Sequence, residues 1–219
     1  MRAIADDHPV RATRGRTRHL LVLLGYLLVA VAWTWPLAGH LTTAIPGDGK
    51  DGWQNAWNLW WVAQAVLQGR NPFHTDLLFH PIGADLYLHT LQPLNGLLSL
   101  PVQVLWGPVA AYNAVVLAAL PLAAWGAYLL AHDRLARARS SPAGWRGAMP
   151  PLVAGLLFGF SPYLAGQLLS HLNLVSAWGL PFSTLALLRA ADAVPPRPAV
   201  RSLPWVHISL AVGALVLTA

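Results

Sequence analysis

RATRGRTRH (11–19) followed by LLVLLGYLLVAVAWTWPLAGHL (20–41), with GDGKD (47–51) soon after, frames the reading of this chain. The apolar run is about 20 residues, the length a helix needs to cross the hydrocarbon of a bilayer. A secretory signal has a core of roughly 7–15 residues and a small-residue cleavage site. Here the far end carries Trp33, Trp35 and Pro36 instead, which suits a retained span with an aromatic belt at the interface. Composition agrees: 56% of the 219 residues are hydrophobic and 10% are charged, against roughly 25% charged in soluble domains. All eight acids are aspartates, so no Glu-decorated solvated helix face is expected. The net charge of +6 falls in short Arg tracts beside apolar runs. That pattern marks membrane orientation and argues against a nucleic-acid partner. Cysteine is absent, which removes disulfides and thiolate metal sites and leaves His and Asp as ligands.

Further apolar segments occupy 93–107, 109–131, 149–169, 172–190 and 203–219. The segment at 93–107 is short for a span and carries Pro93, Pro101 and Gln103. Basic clusters at 2–18, 134–146 and 189–201 decide the topology, because cytoplasmic connections collect Lys and Arg. All three fall on the same side only if 93–107 does not cross. The expected order is therefore a cytoplasmic basic N-terminus (1–19), a first span (20–41), an outer loop (42–108) and four further spans within 109–219. The last segment ends without a polar flank, so the chain reads as the N-terminal part of a longer protein. The expected fold is all-α: a polytopic membrane helical bundle with a long outer loop containing interfacial juxtamembrane helices at 53–68 and 93–107. The plasma membrane is the expected location, with the bilayer as a partner.

The outer loop holds four of the eight acids. At 100° per residue, Trp53, Trp57, Trp60 and Trp61 share one helix face, and Gln54, Asn55 and Asn58 fall away from it. That is the pattern of an interfacial helix with its polar side turned from the lipid. The stretch 71–92, rich in Pro, Gly and turn formers, is expected as an ordered coil on the outer ends of the spans.

Three groups of residues have chemistry to offer. Asp48 and Asp51, set among Gly47, Gly49 and Gly52, can present a carboxylate at the membrane mouth. Asp51 is equally well placed to cap the helix before Trp53, and Asp48 has less local reason to be there. His74, Asp76, His80, Asp85 and His89 carry side chains that bind a divalent cation or orient sugar hydroxyls and phosphate. Their spacing matches no compact metal motif, and turn formation is the alternative. Gln167, Ser170, His171 and Asn173 form a short outer turn, either simply solvated or part of a shared site that Tyr112 and Asn113 would join. His207 reads as a headgroup-level residue.

GDGKDGWQNAWNLWW (47–61), NPFHTDLLFHPIGADLYLHT (71–90) and FSPYLAGQLLSHLNLVSAWGLPF (160–182) resemble sequences of the GT-C superfamily of integral membrane glycosyltransferases. The resemblance covers about residues 20–189. It implies a polyprenyl-phosphate-linked sugar donor and an acid of the first outer loop as catalytic base, a role that falls on Asp48 first and Asp51 second. The adjacent acid pair usual in that group is replaced here by two aspartates three apart. Lys50, Arg70, His80 and His89 are the cations and donors available to the leaving phosphate, and a divalent ion on Asp48 and Asp51 is a further option. The expectation is an inverting glycosyltransferase acting at the outer face. A transporter or flippase for lipid-linked sugars, or a non-catalytic membrane subunit, is the alternative.

Overall fold

The computed structural model describes residues 8–47, 49–138 and 145–193; Asp48 and His207 lie outside them. It is mostly helical. Helix α1 spans His8–Trp33 and is followed by a 3-10 turn at Leu37–Gly39; α2 spans Lys50–Leu67. Two-residue strands β1 (His74–Thr75) and β2 (Ala84–Asp85) pair antiparallel. Then come α3 (Pro93–Arg137), α4 (Trp145–Gly159), α5 (Pro162–Gln167), α6 (Leu172–Val175) and α7 (Gly179–Ala193).

Counting α4 with α5 and α6 with α7, four helical stretches of the described chain are long and apolar enough to cross a membrane. Leu20, Leu21, Leu24 and Leu28 of α1 are all more than half exposed. An outward leucine face of that kind is stable where lipid is the solvent. The basic tract before the first apolar run is helical from His8 rather than a separate tail. Helix α1 ends early, at Trp33, where the Thr34 hydroxyl bonds the Ala30 carbonyl and Pro36 supplies no N–H to continue.

Helix α3 is two helices. Gly107, at φ 89° and ψ 174°, breaks it into limbs 93–106 and 108–137, a conformation open to glycine alone. The second limb is the axis of the molecule, and its Ala110, Ala111, Ala119, Ala123 and Ala124 are buried. Small side chains let neighbouring backbones approach, the usual basis of helix contact in lipid. On α4, Gly155 and Gly159 lie so close to Tyr26 and Ala124 that neither has room for a Cβ. Trp33 meets Phe160, just past α4, edge-on at 6.3 Å, and the Tyr26 hydroxyl donates to the Leu152 carbonyl, so α4 packs on the axis limb and touches α1 through these side chains.

Two apolar segments expected as single helices are interrupted. The 149–169 run breaks after Gly159, and Ser161 opens α5 by accepting from the Leu164 N–H, with Pro162 in the first helical position, where its missing N–H costs nothing. The 172–190 run breaks at 176–178. The 71–92 segment contains the small β1–β2 hairpin instead of coil alone.

Among the described residues, Arg18, Arg134, Arg137 and Arg189 gather at one end of the bundle. His19 Nδ1 meets the Tyr128 hydroxyl at 3.0 Å, and the Trp125 indole donates to the His19 carbonyl, placing the Arg16–Arg18 stretch beside the end of α3. There Asp133, whose side chain is 10% accessible, accepts from Arg137 at 3.0 Å and Arg189 at 2.9 Å, and from Arg134. Arg134 also reaches Asp192 at 2.7 Å. This clamp ties α3 to α7. Helix α2, the hairpin and the Gly107 break lie toward the other end, since a Cβ on Gly52 would come within 3.8 Å of the hydroxyl of Tyr112, near the start of the second limb.

Asp133→Asn removes the shared charge from three guanidinium groups. The expected loss is about 1–3 kcal/mol, at the lower end because those groups are a third to half exposed. Thermal unfolding in detergent checks this: Asp133→Asn should melt below Asp192→Asn, whose carboxylate is more accessible. Equal melting temperatures would remove Asp133 as the centre of the clamp.

Candidate functional site

Helix α2 begins at Lys50, three residues before Trp53, with Gly49 as its N-cap and no side-chain cap bond. Asp51 is therefore not the cap. It occupies the first turn, where the helix dipole favours an acid, and its carboxylate is 56% accessible. Its Oδ2 stands 3.5 Å from His171 Nε2. The other ring nitrogen, Nδ1, lies 3.1 Å from the Ser170 hydroxyl. The structure thus brings together an acid of the first loop and a histidine of the 168–171 turn, 120 residues apart in the chain.

The approach is built by backbone contacts. Asn113 Nδ2 donates to the carbonyls of Leu41 at 2.8 Å and Ala44 at 2.7 Å, holding the loop to the axis helix. Asn113 is wholly buried, as is Tyr112, so they brace the site without opening onto it. Gly47 has φ 98°, and a Cβ there would overlap the Leu169 carbonyl. Only glycine lets loop and turn meet this closely.

Two hollows adjoin along Leu169. The first is an apolar groove of about 380 Å³ between the end of α1 and α5, walled by Trp33, Trp35, Pro36, Ile45 and Leu168, with His40 at its edge. The second is an open, more polar depression of about 720 Å³ formed by Gly47, Gly166, Gln167, Ser170 and His171. Asn173, in α6, is half-buried. A mainly apolar groove beside a depression that carries Gln167, Ser170 and His171 fits an amphiphile with a long tail and a polar head.

The second sequence cluster is not one site. His74 Nδ1 bonds Asp85 at 2.8 Å and closes the hairpin. Arg70 pairs with Asp76 at 3.0 Å and lies 5.7 Å over the Trp61 ring. The backbone N–H of Asp76, and after it the Arg70 guanidinium, hold that carboxyl below the ordinary range, which makes it a weaker base. His80 is exposed on the hairpin. His89 Nε2 lies 2.8 Å from Asn58 Oδ1. Asn58 Nδ2 donates to the Thr90 carbonyl, so its Oδ1 is the acceptor and the His89 Nε2–H must donate. Among the described residues no three His or Asp side chains converge to hold a metal ion.

Part of the polar face of α2 is buried in protein, while Gln54 stays exposed. Asn55 and Asn58 are 3% and 0% exposed, and Trp61, placed by periodicity on the lipid face, is 2% exposed. Trp53 remains half exposed, with Trp57 and Trp60 between. Asn55 Nδ2 donates to the Asp51 and Ser170 carbonyls, and its Oδ1 accepts from Gln92 at 2.8 Å. Gln92 in turn accepts from Asn95, which also donates to the Ser176 hydroxyl. The Trp61 indole donates to the Pro72 carbonyl. Sequence reading missed this network, because amides at i, i+3 spacing such as Asn55/Asn58 and Gln92/Asn95 fit a solvated helix face equally well. Comparison with known protein families, curated proteins and solved structures finds no match.

Gly47→Ala should push the loop off the turn. In this cysteine-free chain, the pair Asp51→Cys and His171→Cys should be joined by a short bifunctional thiol reagent. The bridge should form efficiently while Gly47 is retained and be largely lost once Gly47→Ala is added. Undiminished bridging would show that the close approach does not need glycine.

Proposed function

We propose that this protein is a membrane glycosyltransferase that moves a sugar from a polyprenyl-phosphate-linked donor to an acceptor hydroxyl at the outer face of the membrane. The observation that carries this reading is Asp51, uncommitted to capping and paired with His171, beside a depression bearing Gln167 and Ser170 that adjoins an apolar groove. The groove suits an isoprenoid tail lying along α1, and the depression suits its phosphate and sugar. The uncapped N–H groups at the start of α2, a helix whose first residue is Lys50, are a positive feature for the phosphate. Arg70 and His89 already have partners and are less suited to that role than the sequence alone indicates.

In this scheme the acceptor oxygen attacks the anomeric carbon as its proton passes to the Asp51 carboxylate. The carbon–oxygen bond to phosphate breaks, polyprenyl phosphate leaves with the bonding electrons, and the anomeric configuration inverts. His171 keeps the Asp51 carboxylate oriented. Asp48, three residues away, is the other acid able to serve as base.

The orientation that follows places the Arg-bearing end of the bundle in the cytoplasm, as basic residues prefer. Single cysteines at Ala191 and Gln68 should label from the inside and the outside respectively. Labelling of both from one side would overturn the orientation.

Activity is tested with the reconstituted chain and a radiolabelled polyprenyl-phosphate sugar. Asp51→Asn should lower transfer by about 10²–10⁴, the usual effect of losing a general base, with donor binding retained. His171→Ala should have a smaller effect. Near-normal turnover in both Asp51→Asn and Asp48→Asn would remove the loop acids as base. Donor crossing the membrane unconsumed would favour a flippase instead.

A further inference from the structure

The β1–β2 hairpin displays large apolar side chains in the open. Phe79 is 80% exposed, Ile82 88% and Leu77 54%. An apolar cluster of this kind on a fixed surface marks an interaction site, and the hairpin is fixed. His74 pairs with Asp85 in the β1–β2 register, Arg70 anchors Asp76, and the Phe73 and Tyr87 rings stack at 5.3 Å. The Ile82 and Gly83 N–H groups both reach the Phe79 carbonyl. That turn holds Phe79 at φ 51°, a region bulky residues seldom adopt, with its ring turned outward.

We propose that the hairpin tip, through Leu77, Phe79 and Ile82, inserts into the lipid leaflet beside α2. Continuity argues for lipid as the occupant. Leu77 lines one groove of about 510 Å³ with Trp53, Trp57, Trp60, Pro108 and Val109. Pro108 and Val109 begin the apolar second limb of α3, and tryptophan collects at the level of lipid headgroups. The tip extends this aromatic surface sideways. Charge argues for an uncharged contact: the only charged side chains in 71–92 at neutral pH, histidines aside, are Asp76 and Asp85, and each is paired. No Lys or Arg on the tip attracts an anionic headgroup. Insertion should therefore depend on acyl chains and not on lipid charge.

The inference is independent of the glycosyl-transfer reading and needs only the bilayer. The cysteine-free chain with Ile82→Cys or Phe79→Cys, each carrying a small fluorophore, is placed in lipid nanodiscs, with Ala191→Cys as the water-exposed reference. Lipids bearing a spin label high on the acyl chain should quench the tip fluorophores severalfold more than the reference. Aqueous iodide should quench them severalfold less, with little change when anionic lipid replaces zwitterionic lipid. Iodide quenching equal to that of the reference would place the tip in water and overturn the proposal. Shielding from both quenchers would mean that protein covers the tip, a second copy included, and would overturn it equally.

Discussion

The buried amide of Asn55 is the junction on which the α2 end of the molecule depends. Its nitrogen serves the Asp51 and Ser170 carbonyls and its oxygen receives Gln92. One side chain thereby fixes the start of α2, the turn after α5 and the entry to α3. Polar groups removed from water are expensive unless bonded, and a network in low dielectric is stable only when nearly every member is satisfied. Gln92 illustrates the constraint: it is wholly buried at φ 55°, and its bonds to Asn55 and Asn95 maintain a backbone conformation that a glutamine seldom adopts.

The candidate site rests on this junction. Asp51 belongs to the first turn of α2 and His171 follows Ser170, so the Asn55 bonds to both carbonyls set the separation of the acid and the imidazole. Gly47 completes the fit by letting the loop touch the Leu169 backbone. The opposite end is held by a different force, the charge shared between Asp133 and three arginines. Amides organise one end and ions the other, with alanine and glycine contacts between them.

Tryptophan has two roles in α2. Trp61 is buried, donates to Pro72 and carries Arg70 over its ring. Trp53, Trp57 and Trp60 line the groove shared with Leu77, Trp57 and Trp60 also packing against the Trp61 cluster. The same residue type thus supplies both buried packing and the wall of an open groove, and only the position on the helix separates them.

Residue chemistry alone determined the membrane class and the apolar segments, because a bilayer imposes length and hydropathy on any chain that crosses it. It also located the loop bearing Asp51 and the turn bearing His171, because Asp, His and glycine clusters stand out in an oily sequence. Tertiary structure decided the rest. Periodicity set Asn55 and Asn58 apart from the tryptophans but not which side faced the interior, because both lipid and protein core accept apolar side chains. The break at Gly107 falls where the sequence already divides 93–107 from 109–131, but those at Gly159 and 176–178 were hidden for a similar reason: hydropathy does not register a turn whose backbone groups find partners inside the protein. The Asp51–His171 pairing joins residues 120 positions apart, and no spacing rule reaches that far; it exists because Asn55, Asn113 and Gly47 bring the two backbones together.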